Sequence, residues 1–573
     1  MLIISAVLAV FYPMLFAESN SVDDRDMIGN LLNMNTWSLK GLFVPGASGG
    51  LYYRPLLYLT FILDKDLWFL HESFMHLENI LWHLINVLLV YSLAVHLLPP
   101  EKKNSSYLPL VAALSFGLHP LCTEPVNWIS GRTDVMAGTF VLGSAVALLK
   151  FKLERSRKFL FLSIFSLLLG MLCKEVALAF VPGVLLLLVA KHPEEATMES
   201  RPSERFARIV QRLVPFLLVG AGSALLFFYL RSLAFSSNSS RITKTLKFIG
   251  NDPVHSVFVC LRAFGFYLKK IYAPFPLNFA IVEVDPLYEL LAIPLVLLCI
   301  WLVYRRTLVS AIFLSGAFLI APSFLIAFNQ IAWTPYAERY AYVPSAFIIV
   351  ASVFYFGNKL QESRAGVVKY GIPCLLVLLG LATLLRTIVW TSNLSLYGDT
   401  INKSPTFSNA WNEYAIALIH KGEFEKAKSA LVSAGKLYRF EYDQKADLNI
   451  AGILVLQGRE DEAMKLFDKI ISKTHGKSSL VYEHVVAHLY DRLLKSKDSA
   501  EKRQICHDLV RYSPKLYALN KDPYILFRMG QIYFSLGERQ NALNYYKQAY
   551  NEFHEGDKYK TYAQKLIARL EKE

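Results

Sequence analysis

The chain has 573 residues, of which 54% are hydrophobic and 18% are charged, and its formal net charge is +14. Soluble proteins carry about 25% charged residues, and several apolar runs here approach the roughly 20 residues that cross a bilayer. The composition therefore excludes an ordinary soluble protein and indicates a polytopic membrane protein. Basic residues in short loops on one side of a membrane explain the positive charge. No basic patch interleaved with aromatic residues stands out, which excludes nucleic acid as the expected partner.

Apolar stretches predict about 11 membrane helices in an all-α fold, followed by a soluble helical repeat array. The first stretch lacks a basic flank, so we interpret it as a membrane helix rather than a removed leader. The six scattered cysteines support neither a disulfide framework nor a zinc site. The predicted spans are residues 1–16, 76–98, 107–121, 134–151, 159–173, 175–190, 213–230, 287–304, 307–328, 342–357 and 370–390.

The loops differ in charge on the two sides of the predicted membrane. Basic stretches at 152–158, 191–212, 305–306 and 359–369 all fall on the side of the N-terminus, which the positive-inside rule assigns to the cytoplasm. The C-terminal region and the long loop after the first helix then lie on the exoplasmic side. Residues 256–273 are amphipathic, which favours an interfacial or re-entrant helix, with an ordinary span as the alternative.

The composition changes near Asn393, from apolar runs to a mixed, charged and helical pattern. We therefore predict a membrane domain over 1–392 and an exoplasmic soluble domain over 393–573. Small residues recur in the soluble part at the offsets of a tetratricopeptide repeat. Such arrays form concave surfaces that hold peptides or partner proteins. A generic helical bundle is the alternative to the three copies, which are Ala415, Gly422, Ala427 and Ala434; Ala451, Gly458, Ala463 and Ile470; and Gly530, Gly537, Ala542 and Ala549.

A polar segment at 119–134 interrupts the apolar stretches. It holds His119, Glu124, Arg132 and Asp134 within one short stretch between two predicted spans. Charge placed so close to lipid is expensive unless it lines a site. The segment therefore predicts chemistry, or binding of a charged ligand, at the membrane surface.

Other charged residues border predicted spans on the same exoplasmic side. Alone, each has an ordinary explanation, such as a solvated loop, an interfacial arginine or a snorkelling lysine. Together they place acids, which supply a general base or hold a cation, beside cations suited to a phosphate. A phosphate at the membrane is what a lipid-linked sugar donor presents. These residues are Asp23, Asp24, Arg54, Lys174, Glu175, Glu338 and Arg339.

The same positions resemble the transmembrane and tetratricopeptide-repeat O-mannosyltransferases, relatives of the protein O-mannosyltransferases with the GT-C fold. The most specific stretch is His119-Pro120 with Glu124 and Gly131-Arg132-x-Asp134. The repeat tail is shorter than in many members of the family. The other matching motifs are Asp23-Asp24 with Ile28 and Asn30, residues 53–56, residues 82–86, Lys174-Glu175 and residues 337–345.

The resemblance implies a transferase that moves mannose from a polyprenyl-phosphate donor, a membrane lipid, to Ser or Thr hydroxyls of exoplasmic acceptor proteins. Asp24 or Asp23 would take the hydroxyl proton. Arg54, Arg132, Lys174 and Arg339 would contact the donor phosphate. His119, Glu124, Asp134, Glu175 and Glu338 would support them. The resemblance assigns no cofactor and no metal ligand, and a divalent metal ion at the acidic pair stays open.

Two other functions compete with the transferase. A non-enzymatic membrane scaffold would use the repeats to recruit exoplasmic partners. A lipid or glycan flippase would need charges through the whole bilayer, whereas here they concentrate on one face. The absence of a long cytoplasmic tail favours the periplasmic face of a bacterial inner membrane, with the endoplasmic reticulum membrane as the alternative.

Overall fold

The computed structural model describes most of the chain, with gaps in several loops. The described residues are 1–33, 37–43, 53–102, 105–190, 214, 220–222, 224–232, 240–328, 332–363, 370–437, 444–554 and 557–571. The basic stretch at 191–212, part of the predicted span at 213–230 and most of the basic stretch at 359–369 lie outside them.

The chain divides into two compact units, Met1–Pro405 and Thr406–Glu573. Within the described ranges both units are built from helices, and the recorded β-pairing is an isolated bridge between Ile281 and Tyr336. The all-α fold class is therefore confirmed. The division falls one helix later than the predicted domain boundary at residue 393, because residues 393–405 pack with the first unit. The assignment of separate functions to 1–392 and 393–573 stays a prediction.

The first unit contains long apolar helices joined by short 3₁₀ segments. The 3₁₀ segments include Tyr12–Phe16, Pro120–Cys122, Ile129–Gly131, Glu175–Phe180 and Glu338–Ala341. The α-helices are α1 (Leu2–Phe11), α2 (Asp24–Asn33), α3 (Leu39–Phe43), α4 (Pro55–Trp68), α5 (Glu72–Val95), α6 (Leu108–Gly117), α7 (Thr123–Asn127), α8 (Arg132–Glu154), α9 (Arg157–Cys173), α10 (Val181–Val189), α11 (Ser240–Asn251), α12 (Pro253–Tyr272), α13 (Leu287–Arg305), α14 (Leu308–Ile320), α15 (Pro322–Ala327), α16 (Tyr342–Ser363), α17 (Ile372–Val389) and α18 (Asn393–Lys403).

Six helical stretches among the described residues are long and apolar enough to cross a membrane. They indicate an integral membrane protein, and all six overlap predicted spans. Three shorter apolar stretches, Leu2–Phe16, Leu108–Gly117 and Glu175–Val189, match three further predictions. The total of about 11 spans stays a prediction. The six long stretches are Glu72–Val95, Ile129–Glu154, Leu287–Arg305, Leu308–Ala327, Glu338–Gly357 and Ile372–Val389.

The amphipathic stretch at 256–273 forms α12, which is not one of the six long apolar stretches. Asp252 caps its first turn by accepting a hydrogen bond from the backbone N–H of His255 at 2.9 Å. Midway, Gly265 lets α12 approach α13 closely, since a Cβ there would lie 2.2 Å from the carbonyl oxygen of Tyr288. The interfacial interpretation of this helix stays a prediction.

The second unit consists of successive antiparallel helix pairs. Gly422, Gly458 and Gly537, predicted at the turns, have φ values of +76°, +72° and +82°, a backbone region that favours glycine. Gly530 faces Tyr546 so closely that a Cβ would lie 2.6 Å from its ring. The repeat pattern therefore predicts the local geometry of these turns. The helices are α19 (Ser408–His420), α20 (Phe424–Leu437), α21 (Gln444–Leu456), α22 (Glu460–Lys473), α23 (Ser479–Lys495), α24 (Ser499–Asn520), α25 (Pro523–Ser535), α26 (Arg539–Glu552) and α27 (Lys558–Leu570).

Candidate active site

The polar segment at 119–134 is folded into the core of the first unit. It runs through two 3₁₀ turns and α7 before entering α8, and nearly all of its residues are buried. The side-chain amide of Asn79 on α5 donates to the carbonyl oxygen of Trp128 at 2.8 Å. Gly131 permits the tight fold, since a Cβ there would lie 2.6 Å from the carbonyl oxygen of Pro125. The segment is therefore a buried support against which charged side chains from other helices pack.

The two adjacent acids occupy different environments. Asp24 is fully buried at the start of α2 and accepts hydrogen bonds from the backbone N–H of Ser130 at 2.9 Å and of Asn20 at 3.1 Å. The hydroxyl of Ser130 donates to the same carboxylate. Burial raises the pKa of Asp24 to about 7, although these hydrogen bonds oppose the shift. Asp24 therefore anchors residues 18–24, called the acidic loop below, to the polar segment.

Asp23 is exposed beside this anchor, with φ at +66°. Aspartate is one of the few non-glycine residues that adopt this left-handed region readily. Partial desolvation raises the pKa of Asp23, while the charges of Arg339 and Arg54 act in the opposite direction. The structure thus presents one accessible carboxylate of the predicted pair to two of the predicted cations.

Arg339 is held by the polar segment. Its guanidinium pairs with Glu124, and its backbone N–H donates to the second oxygen of that carboxylate at 3.1 Å. The guanidinium also lies 5.0 Å from the ring centroid of Trp128 and 4.8 Å from that of Tyr340. Burial raises the pKa of Glu124, and the charge of Arg339 counteracts it. These contacts fix the guanidinium plane while leaving 14% of the side chain exposed.

Lys174 and Arg54 complete a group of cations near Asp23. The ammonium of Lys174 lies 2.6 Å from a carboxylate oxygen of Asp134, and both Arg54 and Arg339 are close enough to affect it electrostatically. The guanidinium of Arg54 lies 3.3 Å from the carboxylate of Glu175. The structure therefore brings together seven of the predicted site residues, which are Asp23, Arg54, Glu124, Asp134, Lys174, Glu175 and Arg339.

Two cations that the sequence interpretation missed join this region. Arg231 lies 2.7 Å from the second oxygen of Glu175, so that carboxylate bridges two guanidinium groups. Lys270 lies 2.7 Å from Glu338, which also accepts a hydrogen bond from the backbone N–H of Asn278 at 2.9 Å. A signal was present for Arg231, which follows the exoplasmic end of the predicted span at 213–230.

Arg132 lies in a different, closed environment. Its side chain is 0% exposed, and its guanidinium lies 2.6 Å from Asp64 and 2.9 Å from Glu78. It also donates to the side chain of Asn79 at 2.8 Å and to the carbonyl oxygen of Met75 at 3.1 Å. With its donors engaged by protein, Arg132 is suited to cross-link α4, α5 and α8. Its assignment to the donor phosphate stays a prediction.

The remaining predicted features are His119 and a site for a divalent metal ion. The buried ring of His119 contacts the carbonyl oxygen of Ile271 at 3.0 Å. The ring thus joins the polar segment to the end of α12. Within the described ranges, no group of three or more His, Cys, Asp or Glu side chains is placed to hold a metal ion.

Curated relatives match parts of this chain. The protein O-mannosyl-transferase TMTC3 of Mus musculus is 33% identical over 132 residues, which are 22% of this chain and 14% of the relative. Tmtc1 of Drosophila melanogaster is 31% identical over 26% of this chain and 17% of its own length. A protein O-mannosyl-transferase of Caenorhabditis elegans is 23% identical over 67% of this chain and 53% of its own. The matches thus span at most about half the length of these relatives.

The second unit has its own match. A tetratricopeptide-repeat family model matches residues 523–551, which contain the third predicted copy. Among solved structures, the Cut9-Hcn1 hetero-tetramer of the APC/C aligns with 11% identity over 82% of this chain and 91% of that chain, at a TM-score of 0.18. A TM-score this low does not establish a shared fold. The curated relatives and the repeat match together confirm that this chain resembles the transmembrane and tetratricopeptide-repeat O-mannosyltransferases.

Proposed function

We propose that this chain is a membrane glycosyltransferase that moves mannose from a polyprenyl-phosphate donor to Ser or Thr hydroxyls of exoplasmic proteins. The observation that carries the proposal is the exposed carboxylate of Asp23, at a position with positive φ and within electrostatic range of Arg339 and Arg54. The names of the matched relatives support a glycosyltransferase role. The polyprenyl-phosphate donor rests on the chemistry of the cations and on the resemblance.

The reaction needs a general base and positive groups that stabilise the negative charge of the leaving phosphate. The acceptor hydroxyl attacks the anomeric carbon, its proton passes to the carboxylate, and the bond from that carbon to the phosphate oxygen breaks. A positioned carboxylate contributes about 10²–10⁴-fold to such a step. Fixed cations stabilise the phosphate that leaves. Asp23 is the base in this proposal, since Asp24 is buried and engaged by three donors.

Arg54, Lys174 and Arg339 bind the donor phosphate in this proposal. Their carboxylate partners Glu175, Asp134 and Glu124 each hold one cation in place. Such pairing fixes the direction of a long side chain before the ligand arrives, which reduces the cost of ordering it on binding. Arg132, Glu338 and His119 support the walls of the site through their buried contacts.

The remaining assignments follow from the proposed chemistry. Residues 1–392 perform transfer, and the array over 393–573 engages the acceptor protein, since repeat arrays present concave binding surfaces. The basic loops place the N-terminus in the cytoplasm and the site on the exoplasmic side. The periplasmic face of a bacterial inner membrane is favoured, with the endoplasmic reticulum membrane as the alternative.

The proposal is tested with purified full-length protein in lipid nanodiscs, polyprenyl-phosphate [³H]mannose and a Ser/Thr-rich peptide. We expect label on the peptide with the native chain and its near loss in Asp23→Asn. Asp26→Asn is the matched control, because Asp26 is an exposed acid in the first turn of α2, three residues from Asp23. No labelled peptide with any polyprenyl-phosphate hexose would overturn the transferase and favour the membrane scaffold.

A further inference from the structure

Helix α18, which follows the last apolar helix, is attached to the acidic loop by an array of hydrogen bonds. The side chain of Asn393 accepts from the backbone N–H of Ser21 at 3.0 Å and donates to the carbonyl oxygen of Ser19 at 2.8 Å. Its backbone N–H donates to the carboxylate of Glu18 at 2.5 Å. A single residue at the start of α18 therefore fixes three positions of the loop, residues 18, 19 and 21, in a stretch that is otherwise irregular.

Tyr397, one turn further along α18, reaches the anchor of the acidic pair. Its hydroxyl donates to the side-chain oxygen of Asn20 at 2.6 Å and accepts from the hydroxyl of Ser21 at 3.1 Å. The backbone N–H of Asn20 in turn donates to Asp24 at 3.1 Å, and its side-chain oxygen also accepts from the backbone N–H of Val22 at 2.8 Å. Tyr397 thus connects α18 to Asp24 through one intervening residue.

The other end of α18 is attached to the segment that holds Glu338. The hydroxyl of Ser404, the residue after the helix, donates to the carbonyl oxygen of Ala280 at 2.6 Å and accepts from the side-chain amide of Asn278 at 2.8 Å. The backbone N–H of Asn278 donates to the carboxylate of Glu338, which directly precedes Arg339. Between the two ends, the ring of Phe279 lies 6.0 Å from that of Tyr397.

We propose that α18 is a positioning helix that sets the acidic loop against the segment bearing Arg339, with Tyr397 and Ser404 as its contact residues. The inference rests on the proposed function, in which Asp23 and Arg339 act on the same reaction. A base and a phosphate contact must keep a fixed separation, because a misplacement of about 1 Å can cost about 100-fold in rate. One helix that contacts both segments supplies that constraint.

The arrangement has a further consequence for the two contacts. Tyr397 acts on the loop that carries the base, so its loss affects the chemical step. Ser404 acts on the segment next to Arg339, so its loss affects donor binding. A helix that merely stabilised the fold would instead lower the amount of active protein and leave kcat, KM and their pH dependence unchanged.

The first arm compares Tyr397→Phe with Thr400→Val in the full chain. Both changes remove one buried hydroxyl from α18, but the hydroxyl of Thr400 donates to the carbonyl oxygen of Leu396 in the same helix. We expect Tyr397→Phe to lower kcat about fivefold to tenfold, in line with the loss of neutral hydrogen bonds, with the donor KM unchanged. Thr400→Val should leave both constants at the native values.

Two readouts separate positioning from general stability. In Tyr397→Phe, amide hydrogen exchange of residues 18–24 should accelerate, while exchange in the second unit stays native. The acidic limb of the pH–rate profile should move to lower pH, since a loosened loop rehydrates Asp23, whose charged neighbours are Arg339, Arg54 and Asp26. Equal kinetics, exchange and pH profile in the two variants would overturn the positioning role of Tyr397.

The second arm is Ser404→Ala, for which we expect a donor KM about fivefold to tenfold higher and an unchanged kcat. A fall in kcat alone would overturn the proposal that Ser404 positions the segment bearing Arg339. Lack of transfer by the native chain would overturn the proposed function instead. The exchange comparison does not need transfer, so it still decides whether α18 restrains the acidic loop.

Discussion

The first unit contains two groups of ion pairs built from the same residue types, one closed and one open. In the closed group, the paired side chains of Arg132 and Asp64 are both 0% exposed, and Arg132 also pairs with Glu78, whose side chain is 26% exposed. In the open group, Arg339 and Arg54 keep 14% and 16% of their side chains exposed, and Asp23 is accessible beside them. Both groups use arginines from motifs of the resemblance, so motif membership alone does not separate their roles.

The difference shows what burial does to a charged residue near a membrane. A fully enclosed pair must satisfy all of its charge within the protein, because removing one partner strands the other in a medium of low polarity. An incompletely enclosed pair can exchange part of its solvent contact for a ligand. The closed group is therefore suited to hold helices together, and the open group to bind and react.

The largest expected effect is on the open group. Asp23→Asn keeps the shape of the side chain but removes the base, so transfer should fall about 10²–10⁴-fold in kcat. Initial rates with saturating donor and acceptor measure the effect, and Asp26→Asn is the control. An equal fall in Asp24→Asn with full activity in Asp23→Asn would reverse the roles of the two acids.

The apolar stretches predicted the six long apolar helices of the described fold, since a span must satisfy its backbone within one helix, but they did not predict α2, α3 or α4 in the loop after the first span. The turn glycines of the repeats were predictable for a similar reason, because a positive φ restricts the residue type. The different environments of Asp23 and Asp24 could not be predicted, because they depend on hydrogen bonds from Ser130 and Asn20, which carry no charge. The closed group also escaped prediction, because Asp64 and Glu78 lie in helices with ordinary apolar patterns.

A substitution in the closed group should lower the stability of the fold rather than remove a ligand contact. Arg132→Met strands the fully buried Asp64, and breaking a buried pair costs about 3–5 kcal/mol. We expect a large fall in the yield of monodisperse protein after detergent extraction. The molecules that do fold should transfer mannose at a rate within a few-fold of the native rate, because no phosphate contact is lost.

Arg262→Met is the matched control for this experiment. Arg262 pairs with Glu289, which keeps 17% of its side chain exposed, so this partner stays in contact with water when Arg262 is replaced. The yield of that variant should remain near the native yield. A normal yield of Arg132→Met combined with a raised donor KM would identify Arg132 as a phosphate contact and remove the distinction between the two groups.

Smaller effects are expected from the cations of the open group. Arg54→Gln and Arg339→Gln each remove a charge-assisted contact worth about 1.5–3 kcal/mol, which corresponds to a donor KM raised about 10-fold to 150-fold. Titration of the polyprenyl-phosphate donor at fixed acceptor concentration measures this effect. A raised acceptor KM with an unchanged donor KM would instead assign the two arginines to the acceptor peptide.

The smallest effect concerns pH and follows from the groups around Asp23. Desolvation raises the pKa of Asp23 above its ordinary value, and the base must be ionised, so the rate should rise with pH through that raised pKa. Arg54 lowers the pKa of Asp23, so Arg54→Gln should move the midpoint to higher pH. Asp26 raises it, so Asp26→Asn should move the midpoint to lower pH.

Opposite movements of the two midpoints identify the titrating group by its neighbours. Both shifts of the midpoint should become smaller at 1 M salt, because the screening length falls to about 3 Å and these charges act on an accessible carboxyl. Asp24, whose pKa lies at about 7, is surrounded mainly by the hydrogen bonds of Ser130 and Asn20. A midpoint near that value that neither substitution moves would assign the titration to Asp24, and the accessible acid would then lose its role as the base.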